Sequence, residues 1–559
     1  MSPEAFDYVF RAAFATPGER GAPPPVYGRS IENGMTIERN VAVRMRDGVE
    51  IFADVFRPID EGPVPPIIAW TPYGKHQNGS GIYAANPTCD VKPGQVSQYA
   101  TFEAVDPLYW VPRGYAVVNV DIRGLYYSKG DATVVSPEEA RDFYDTIEWA
   151  GTQSWSNGRV GLSGVSYLAV TQWRVAELNP PHLAAINPWE GWTDTYRELA
   201  RHGGIPDTWF WTMNIAPAWG CSTTPVEDIL AETAQHPFID AFWESKAAKL
   251  EKVSVPAFVV ACWADQGLHE RGTLEGFKRI ASKQKWLLIH GRKKWAHYYD
   301  PQNVELLREF FDHFLKGTSA SVLQWPRVRY ELRQQYFMGE TRTESEWPIA
   351  RTQYTKLYLD AQHRCLQSTL STKVASANYD SMAGGPLAHR AEFELTFTEP
   401  TDLVGHMKLK LWAAAESADD MDLFVGLYKF DAHGQFVPFP FYSFFDDGPV
   451  ALGWLRASHS ELDPDRSTEY QPVLAHRRAR KLEAGEVVPL EIEIWPSGTH
   501  FEAGSRLRLI VQGTDLQKYS KHRAFVYFRH EDTVNSGRHI VYTGGKYDSH
   551  LLVPIVPRR

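Results

Sequence analysis

The segments RNVAVRMRDG and IFADVFRP alternate apolar and polar side chains, with the turn signal Asp47-Gly48 between them. Alternation at period two predicts a hairpin of half-buried strands. Further on the pattern changes to short continuous apolar runs, VPPIIAWTPYG, GYAVVNVDIRG, GRVGLSGVSY, VPAFVVACWAD and QKWLLIHG. Such runs are what strands buried on both faces produce. Between and after them lie segments with helical spacing, SPEEARDFYDTIEWAGTQ, TLEGFKRIAS and NVELLREFFDHFLKG, the first opened by Ser136 as a candidate cap with acids in its first turn. Strands alternating with helices predict a mostly parallel, doubly wound α/β sheet over residues 41–191 and 251–350. Residues 192–250 break the alternation with TDTYRELARHGG, PVEDILAETAQ and FIDAFWESKAAKL, which read as a helical cap. Before the sheet, residues 1–40 contain GAPPPVYG and read as an N-terminal arm. From 351 to 559 period-two alternation returns in TKLYLD, HMKLKLWAAA, DLFVGLYKF, LEIEIWP and RLRLIVQG, predicting an antiparallel β domain of sandwich or jelly-roll type.

Composition narrows the function classes. With 559 residues, 43% hydrophobic and 23% charged, the chain is an ordinary globular protein of several domains. A net charge of −10 with no basic run gives no footprint for nucleic acid. No apolar stretch approaches the roughly 20 residues that span a bilayer, and the N-terminus lacks a secretion signal. We therefore expect a cytoplasmic protein with no membrane partner. The 4 cysteines have no CxxC or metal spacing and read as buried thiols. There is no P-loop, HExxH or dinucleotide glycine pattern, so no cofactor or metal is expected.

The chemistry concentrates in GRVGLSGVSYLAVTQW. An apolar strand runs into Ser166, and YLAVTQWRVAEL continues as a helix, so Ser166 falls on a sharp strand-to-helix turn. Such a turn needs small neighbours, and Gly164 supplies one. The N–H of Tyr167 then faces a carbonyl oxygen held above the serine, as one oxyanion donor. Leu168 stands where the last Gly of GxSxG would be. Ser163 competes, but inside a strand it reads as a satisfied hydroxyl. A serine nucleophile needs a base, and the base an orienting acid. Asp265 ends the run VPAFVVACWA, and His297 follows KWLLIHG on a loop, both at strand ends where a doubly wound sheet gathers its catalytic groups. His290 ends its own strand and reads as packed; His269 lies past the acid on the way into a helix. Arg123, Asp142 and Asp145 read as structural pairs.

The motifs RMRDGVEIFADVFRP, TPYGK, VPRGYAVVNVDIRG, DTIEWAGTQSWSNGRVGLSGVSYLAVTQW, CWAD, KWAH, FFDHFLKG, GWLRAS and HFEAGSRLRLIV together resemble the group of cocaine esterase, α-amino-acid ester hydrolase and X-prolyl dipeptidyl-peptidase, over nearly all of the chain after residue 40. The resemblance implies an α/β-hydrolase core, a helical cap and a C-terminal jelly roll. Its G-x-S-Y pattern implies Ser166 as nucleophile, W-x-D implies Asp265 as acid, and W-x-H implies His297 as base. Its T-P-Y motif implies that the Tyr73 phenol completes the oxyanion hole. The chain departs from the family at Ala169, where Gly is usual, and in Gly291-Arg292-Lys293-Lys294, a longer and more basic loop before the W-x-H histidine. Gln266-Gly267-Leu268 follows the acid where amino-acid ester hydrolases carry acidic residues, so the resemblance implies no obvious requirement for a free α-amino group on the substrate.

The cap segment is rich in aromatic residues. Trp189, Trp192, Tyr196, Trp209 and Trp211 are candidates for an apolar pocket, with packing of cap on core as the alternative; FVPFPFYSFF in the β domain is a candidate further wall. The expected activity is ester hydrolysis through an acyl-enzyme on a small-molecule substrate. Amide cleavage, as in a β-lactam acylase or X-prolyl peptidase, uses the same machinery. Acyl transfer to an alcohol or amine, and carbohydrate binding without catalysis, are the other classes weighed. A homo-oligomer is left open.

Overall fold

The computed structural model of the chain describes residues 6–59, 62–76, 78–210, 220–382, 389–517, 519 and 527–558. The apolar runs form the strands they predict. Pro66–Thr71, Ala116–Asp121, Val160–Val165 and Ala257–Cys262 are buried at every residue, as strands covered by helices on both faces must be. In space the sheet runs Glu50–Pro58, Ala116–Asp121, Pro66–Thr71, Val160–Val165, Leu183–Trp189, Ala257–Cys262, Lys285–His290 and Val328–Gln335. Glu50–Pro58 is antiparallel to its neighbour and the others are parallel. The helix Pro137–Gly151 is capped by Ser136, whose side chain accepts from the Glu139 N–H, with Glu138 and Glu139 in its first turn.

Two expectations need correction. Residues 28–40 are not an arm: Gly28–Glu32 and Met35–Arg44 form a hairpin that joins the sheet through Glu50–Pro58, and Met35 and Ile37 are fully buried. The hydrophobic side chains past the Pro-rich stretch find the core, and the Pro residues merely precede them. The cap is also less helical than its periodicity suggests. Where TDTYRELARHGG predicts a helix, Tyr196–Ala200 makes one π-helical turn and the chain then forms the short strands Arg201–His202 and Ile205–Pro206. Gly203-Gly204 ends the helical run, and the Gly203 carbonyl instead accepts from the Arg456 N–H of the β domain (2.9 Å). PVEDILAETAQ and FIDAFWESKAAKL contribute the helices Ile229–Gln235 and Ala241–Ser245.

The C-terminal domain is a barrel, antiparallel except where Cys365–Gln367 meets Arg390–Thr396 in parallel. Followed by hydrogen bonding, Thr401–Ala415, Val488–Phe501, Ala451–Arg456, Asp422–Phe430, Arg506–Gln512, Arg390–Thr396, Cys365–Gln367, Gln353–Asp360 and His550–Ile555 close into a ring. Its alternating residues turn inward, with Leu409, Leu411, Leu423, Leu507 and Leu509 fully buried in a core separate from that of the sheet domain. The domain also clamps the loop that follows Ala257–Cys262. The Tyr442 N–H donates to the Ala264 carbonyl (2.8 Å), and the Leu452 N–H to Gln266 Oε1 (3.0 Å). From the cap, His202 Nε2 lies 2.7 Å from the Gly267 carbonyl. Residues 263–269 are thereby gripped from two sides, which fixes a loop that would otherwise be mobile.

Candidate active site

Ser166 sits between Val160–Val165 and the helix Tyr167–Ala176 with φ 59° and ψ −120°. This is a strained conformation for a residue with a Cβ, and the surroundings hold it. The Ser166 N–H donates to the carbonyls of Trp189 and Glu190, both at 3.1 Å. Crowding explains the glycines. A Cβ on Gly164 would lie 2.6 Å from Leu168 Cβ, and one on Gly191 would lie 2.7 Å from the Ala169 methyl. Ala169 is thus accommodated by the glycine opposite it. The N–H of Tyr167 is at the first position of the helix, outside the intrahelical ladder and at the positive end of the helix dipole. The Tyr167 side chain is structural: its hydroxyl donates to Glu139 Oε2 (2.7 Å).

The base is His269. Its Nε2 lies 3.1 Å from Ser166 Oγ, and its Nδ1 lies 2.5 Å from Asp265 Oδ2. Nδ1–H bonded to the carboxylate leaves Nε2 as the acceptor for the serine hydroxyl, the tautomer that general-base work requires. His297, expected in this role, is elsewhere. Its ring packs against His290 (centroids 4.0 Å) and Trp189 (6.0 Å) behind the site. Lys294 and His297 both lie on the helix Lys294–Tyr298: Lys294 at its start reaches the site, whereas His297 three residues on packs on His290 and Trp189. Lys294 Nζ is 3.0 Å from Asp265 Oδ2 and 3.1 Å from His269 Nδ1, and the lysine is buried.

This cation sets the electrostatics. Burial alone would raise the Asp265 carboxyl, but Lys294 and His269 outweigh it and hold the group well below the usual carboxylate range. Burial lowers the His269 imidazole to about 4, with the Lys294 charge adding to the effect and Asp265 opposing it. His269 is therefore neutral, and able to accept a proton, at all pH values above that. In this geometry kcat/KM should fall only as pH drops through about 4, not near the ordinary histidine value of about 6.5. Lys294→Met removes the positive charge, so the His269 value rises and the acid limb moves upward. A pH–rate profile of both proteins checks this, and a wild-type limb near 6.5, or one that Lys294→Met leaves in place, contradicts it.

Tyr73 lies beside Ser166 and Glu103, with its ring edge-on to Phe102 (5.1 Å, 81°). Glu103 accepts from Trp295 Nε1 (2.8 Å), and burial pushes its carboxyl up to about 8 despite Lys294 nearby. Of the pocket candidates, Trp192 stacks on the His269 ring at 5.5 Å and 22°, which places it at the site. Trp189 and Tyr196 do not line a pocket. Trp189 is fully buried against Tyr298 (5.1 Å), and the Tyr196 ring packs on Trp243 while its hydroxyl donates to the Pro237 carbonyl (2.8 Å). A tryptophan that closes a central strand has no open face to offer, and the tyrosine ties cap pieces together. Trp209 lies under the Arg529 guanidinium (5.1 Å), and Trp211 falls outside the described residues. From the β domain, Tyr442 approaches Lys294 (5.5 Å) and packs on Phe210 (6.2 Å), forming a wall from FVPFPFYSFF.

The remaining polar residues are structural. Arg123 pairs with Asp142 (2.5 Å), Arg46 pairs with Asp145 (2.6 Å), and Ser163 Oγ bonds Asn187 and Tyr298, both at 2.9 Å. Glu190, Cys262 and His290 bring three potential metal-ligand atoms within 4.8 Å of one another. Each is already engaged in hydrogen bonds: Cys262 Sγ with the Arg292 carbonyl and the Ala264 N–H, and His290 with Glu190. These bonds hold the three side chains in the packing behind the site.

Residues 47–299 match the family model described as X-Pro dipeptidyl-peptidase (S15 family), and 321–552 match that of the X-Pro dipeptidyl-peptidase C-terminal non-catalytic domain. A CocE/NonD family hydrolase from Staphylococcus aureus superposes with TM-score 0.89 at 43% identity, covering 93% of this chain and 94% of that one. The chain belongs to this family of hydrolases. Cocaine esterase from Rhodococcus sp. is 25% identical, over 94% of this chain and all of its own length. The Xaa-Pro dipeptidyl-peptidase of Lactobacillus delbrueckii subsp. lactis is also 25% identical, over 77% of this chain and 62% of its own. An α-amino acid ester hydrolase, 17% identical with TM-score 0.71, shares the fold. Membership gives an α/β-hydrolase core followed by a non-catalytic C-terminal domain. Among the described residues no helix is long and apolar enough to cross a membrane.

Proposed function

We propose that the protein hydrolyses carboxylic esters of small molecules through an acyl-enzyme on Ser166. The observation that carries the reading is the unbroken chain Ser166 Oγ, His269, Asp265, with links of 3.1 and 2.5 Å at a strained strand-to-helix turn. Ser166 Oγ attacks the carbonyl carbon as its proton passes to His269 Nε2. Asp265 stabilises the imidazolium and keeps its Nδ1–H aligned. The Tyr167 N–H and the Tyr73 phenol stabilise the oxyanion. Collapse expels the alcohol with the proton from His269, and water then repeats the attack on the ester of Ser166. The jelly-roll domain would close one side of the pocket through Tyr442.

An aromatic, largely apolar surround with Trp192 on the base favours an ester of an apolar acid or alcohol over a charged peptide. Amide cleavage is the second reading, supported by the peptidase relatives. Labelling with a fluorophosphonate probe tests the nucleophile: the label should appear on Ser166 and be lost in Ser166→Ala. Comparing an ester and an anilide of one acyl group tests the bond. We expect the ester to turn over at least about a hundredfold faster, as anilide expulsion also needs well-placed proton donation to the leaving nitrogen. Equal rates would move the assignment to an amidase, and an unlabelled Ser166 would end it.

A further inference from the structure

We propose that Glu190 is a proton-carrying positioning residue, whose carboxylic acid hydrogen is donated to Oδ1 of Asp265. The inference rests on the triad reading above and deepens it.

The argument is an accounting of donors. Asp265 Oδ2 receives both His269 Nδ1–H and Lys294 Nζ–H (2.5 and 3.0 Å). Asp265 Oδ1 is buried and has no donor among the described residues. Glu190 shows the same asymmetry. Its Oε1 receives Trp189 Nε1–H (3.1 Å) and His290 Nε2–H (3.0 Å). His290 is fixed as a donor through Nε2 because its Nδ1 accepts the Arg292 N–H (3.2 Å). Glu190 Oε2, like Asp265 Oδ1, is buried without a donor. The two carboxyl groups face each other within hydrogen-bonding reach. Each therefore has one oxygen served twice and one not served, and one proton on Glu190 Oε2 satisfies both orphans. Oε1, with two N–H donors, is the carbonyl oxygen of the acid.

Charge balance agrees. The groups facing Glu190 are Asp265, Lys294, His290, Cys262 and Glu270. Lys294 is in contact with Asp265 and neutralises it. His290 is held neutral, its imidazole lowered to about 3 by burial, and burial also raises the Cys262 thiol and the Glu270 carboxyl. Among the described residues Lys294 is the cation that acts on Glu190, with Arg333 on the far side of Glu270, and an ionised carboxylate at 190 would be a buried charge beside another of the same sign. Burial raises the Glu190 carboxyl well above its usual range against the pull of Lys294.

The backbone shows why this residue is placed here. Glu190 has φ 54°, a strained value, and its carbonyl accepts the Ser166 N–H. One residue thus holds the main chain of the nucleophile and, through its side chain, the far oxygen of the acid. A third donor on Asp265 fixes its rotation, and with it the plane of His269.

The direct test is infrared spectroscopy of the full chain at neutral pH. Wild type minus Glu190→Gln should contain the carbonyl stretch of a protonated carboxylic acid. Its absence, with both proteins folded by circular dichroism, overturns the proposal. In kinetics Glu190→Leu should lower kcat about 10–100-fold with KM within about threefold. Glu190→Gln should recover most of that loss, since the amide offers an N–H to Asp265 and a carbonyl to Trp189 and His290. A glutamine variant impaired by more than about tenfold would mean that charge, not the hydrogen, matters, and would also overturn the proposal. Should Glu190→Leu not fold, the infrared band and the glutamine variant still decide. The band does not depend on turnover, so a band present while Ser166 goes unlabelled would sink the acyl-enzyme reading alone.

Discussion

His269→Ala is expected to lower kcat/KM for an activated ester by about ten-thousandfold or more, while His297→Ala stays within about tenfold of wild type. The contrast is large because the two imidazoles do different things. His269 is bonded on one side to Ser166 and on the other to Asp265. Without it the serine hydroxyl has no acceptor for its proton, and the residual rate comes from oxyanion stabilisation and binding. His297 contributes packing against His290 and Trp189, so its loss is felt in stability. Thermal melts of both variants separate the two effects. Steady-state kinetics on the folded fractions should then give the order stated. The reverse order would return the base to the W-x-H motif and require the loop after Asp265 to be rebuilt.

The two histidines also show what a chain of letters reveals. Ser166 was legible because a buried strand, a sharp turn and a helix are each local events, and their junction can be located without tertiary information. Asp265 was legible for the same reason, as the first residues past a buried strand. The base was not. His269 stands four residues after Asp265 and immediately before the helix Glu270–Arg279, where it resembles a helix-start residue with no role. The turn over 265–269 brings the two together, with the Leu268 and Glu270 N–H groups donating to the Asp265 carbonyl. A spacing of four between acid and imidazole is the signal that was available. The KWAH match pointed away from it. The basic loop before that histidine was a departure from the family pattern, and the structure gives it a use: Lys294 reaches the acid that His269 serves. Glu103 and Glu190 carried no sequence signal, because their significance lies in burial and in which donors they lack. The β barrel was legible as alternation, but its ring closure depends on long-range pairings such as Cys365 with Glu394 that no local pattern encodes.

Tyr73→Phe should reduce kcat by about 10²–10³ with KM within about threefold, the cost of removing one oxyanion donor. The substitution leaves the ring in place against Phe102, so the pocket keeps its shape. It takes away only a hydroxyl that lies beside Ser166 Oγ. A phenol gains most when charge develops on the carbonyl oxygen, which is why the loss belongs in kcat and not in ground-state binding. Glu103 makes the effect depend on pH. With its carboxyl pushed up to about 8, Glu103 is neutral at pH 7 and holds the phenol hydrogen less strongly than a carboxylate would. Above that value the ionised carboxylate competes for the same hydrogen and diverts it from the oxyanion. The wild-type rate should therefore decline on the alkaline side through about pH 8, and Tyr73→Phe, having no hydrogen to divert, should lack that decline. A Tyr73→Phe enzyme with full kcat would assign the second oxyanion donor elsewhere, and a variant that keeps the alkaline limb would separate Glu103 from the phenol.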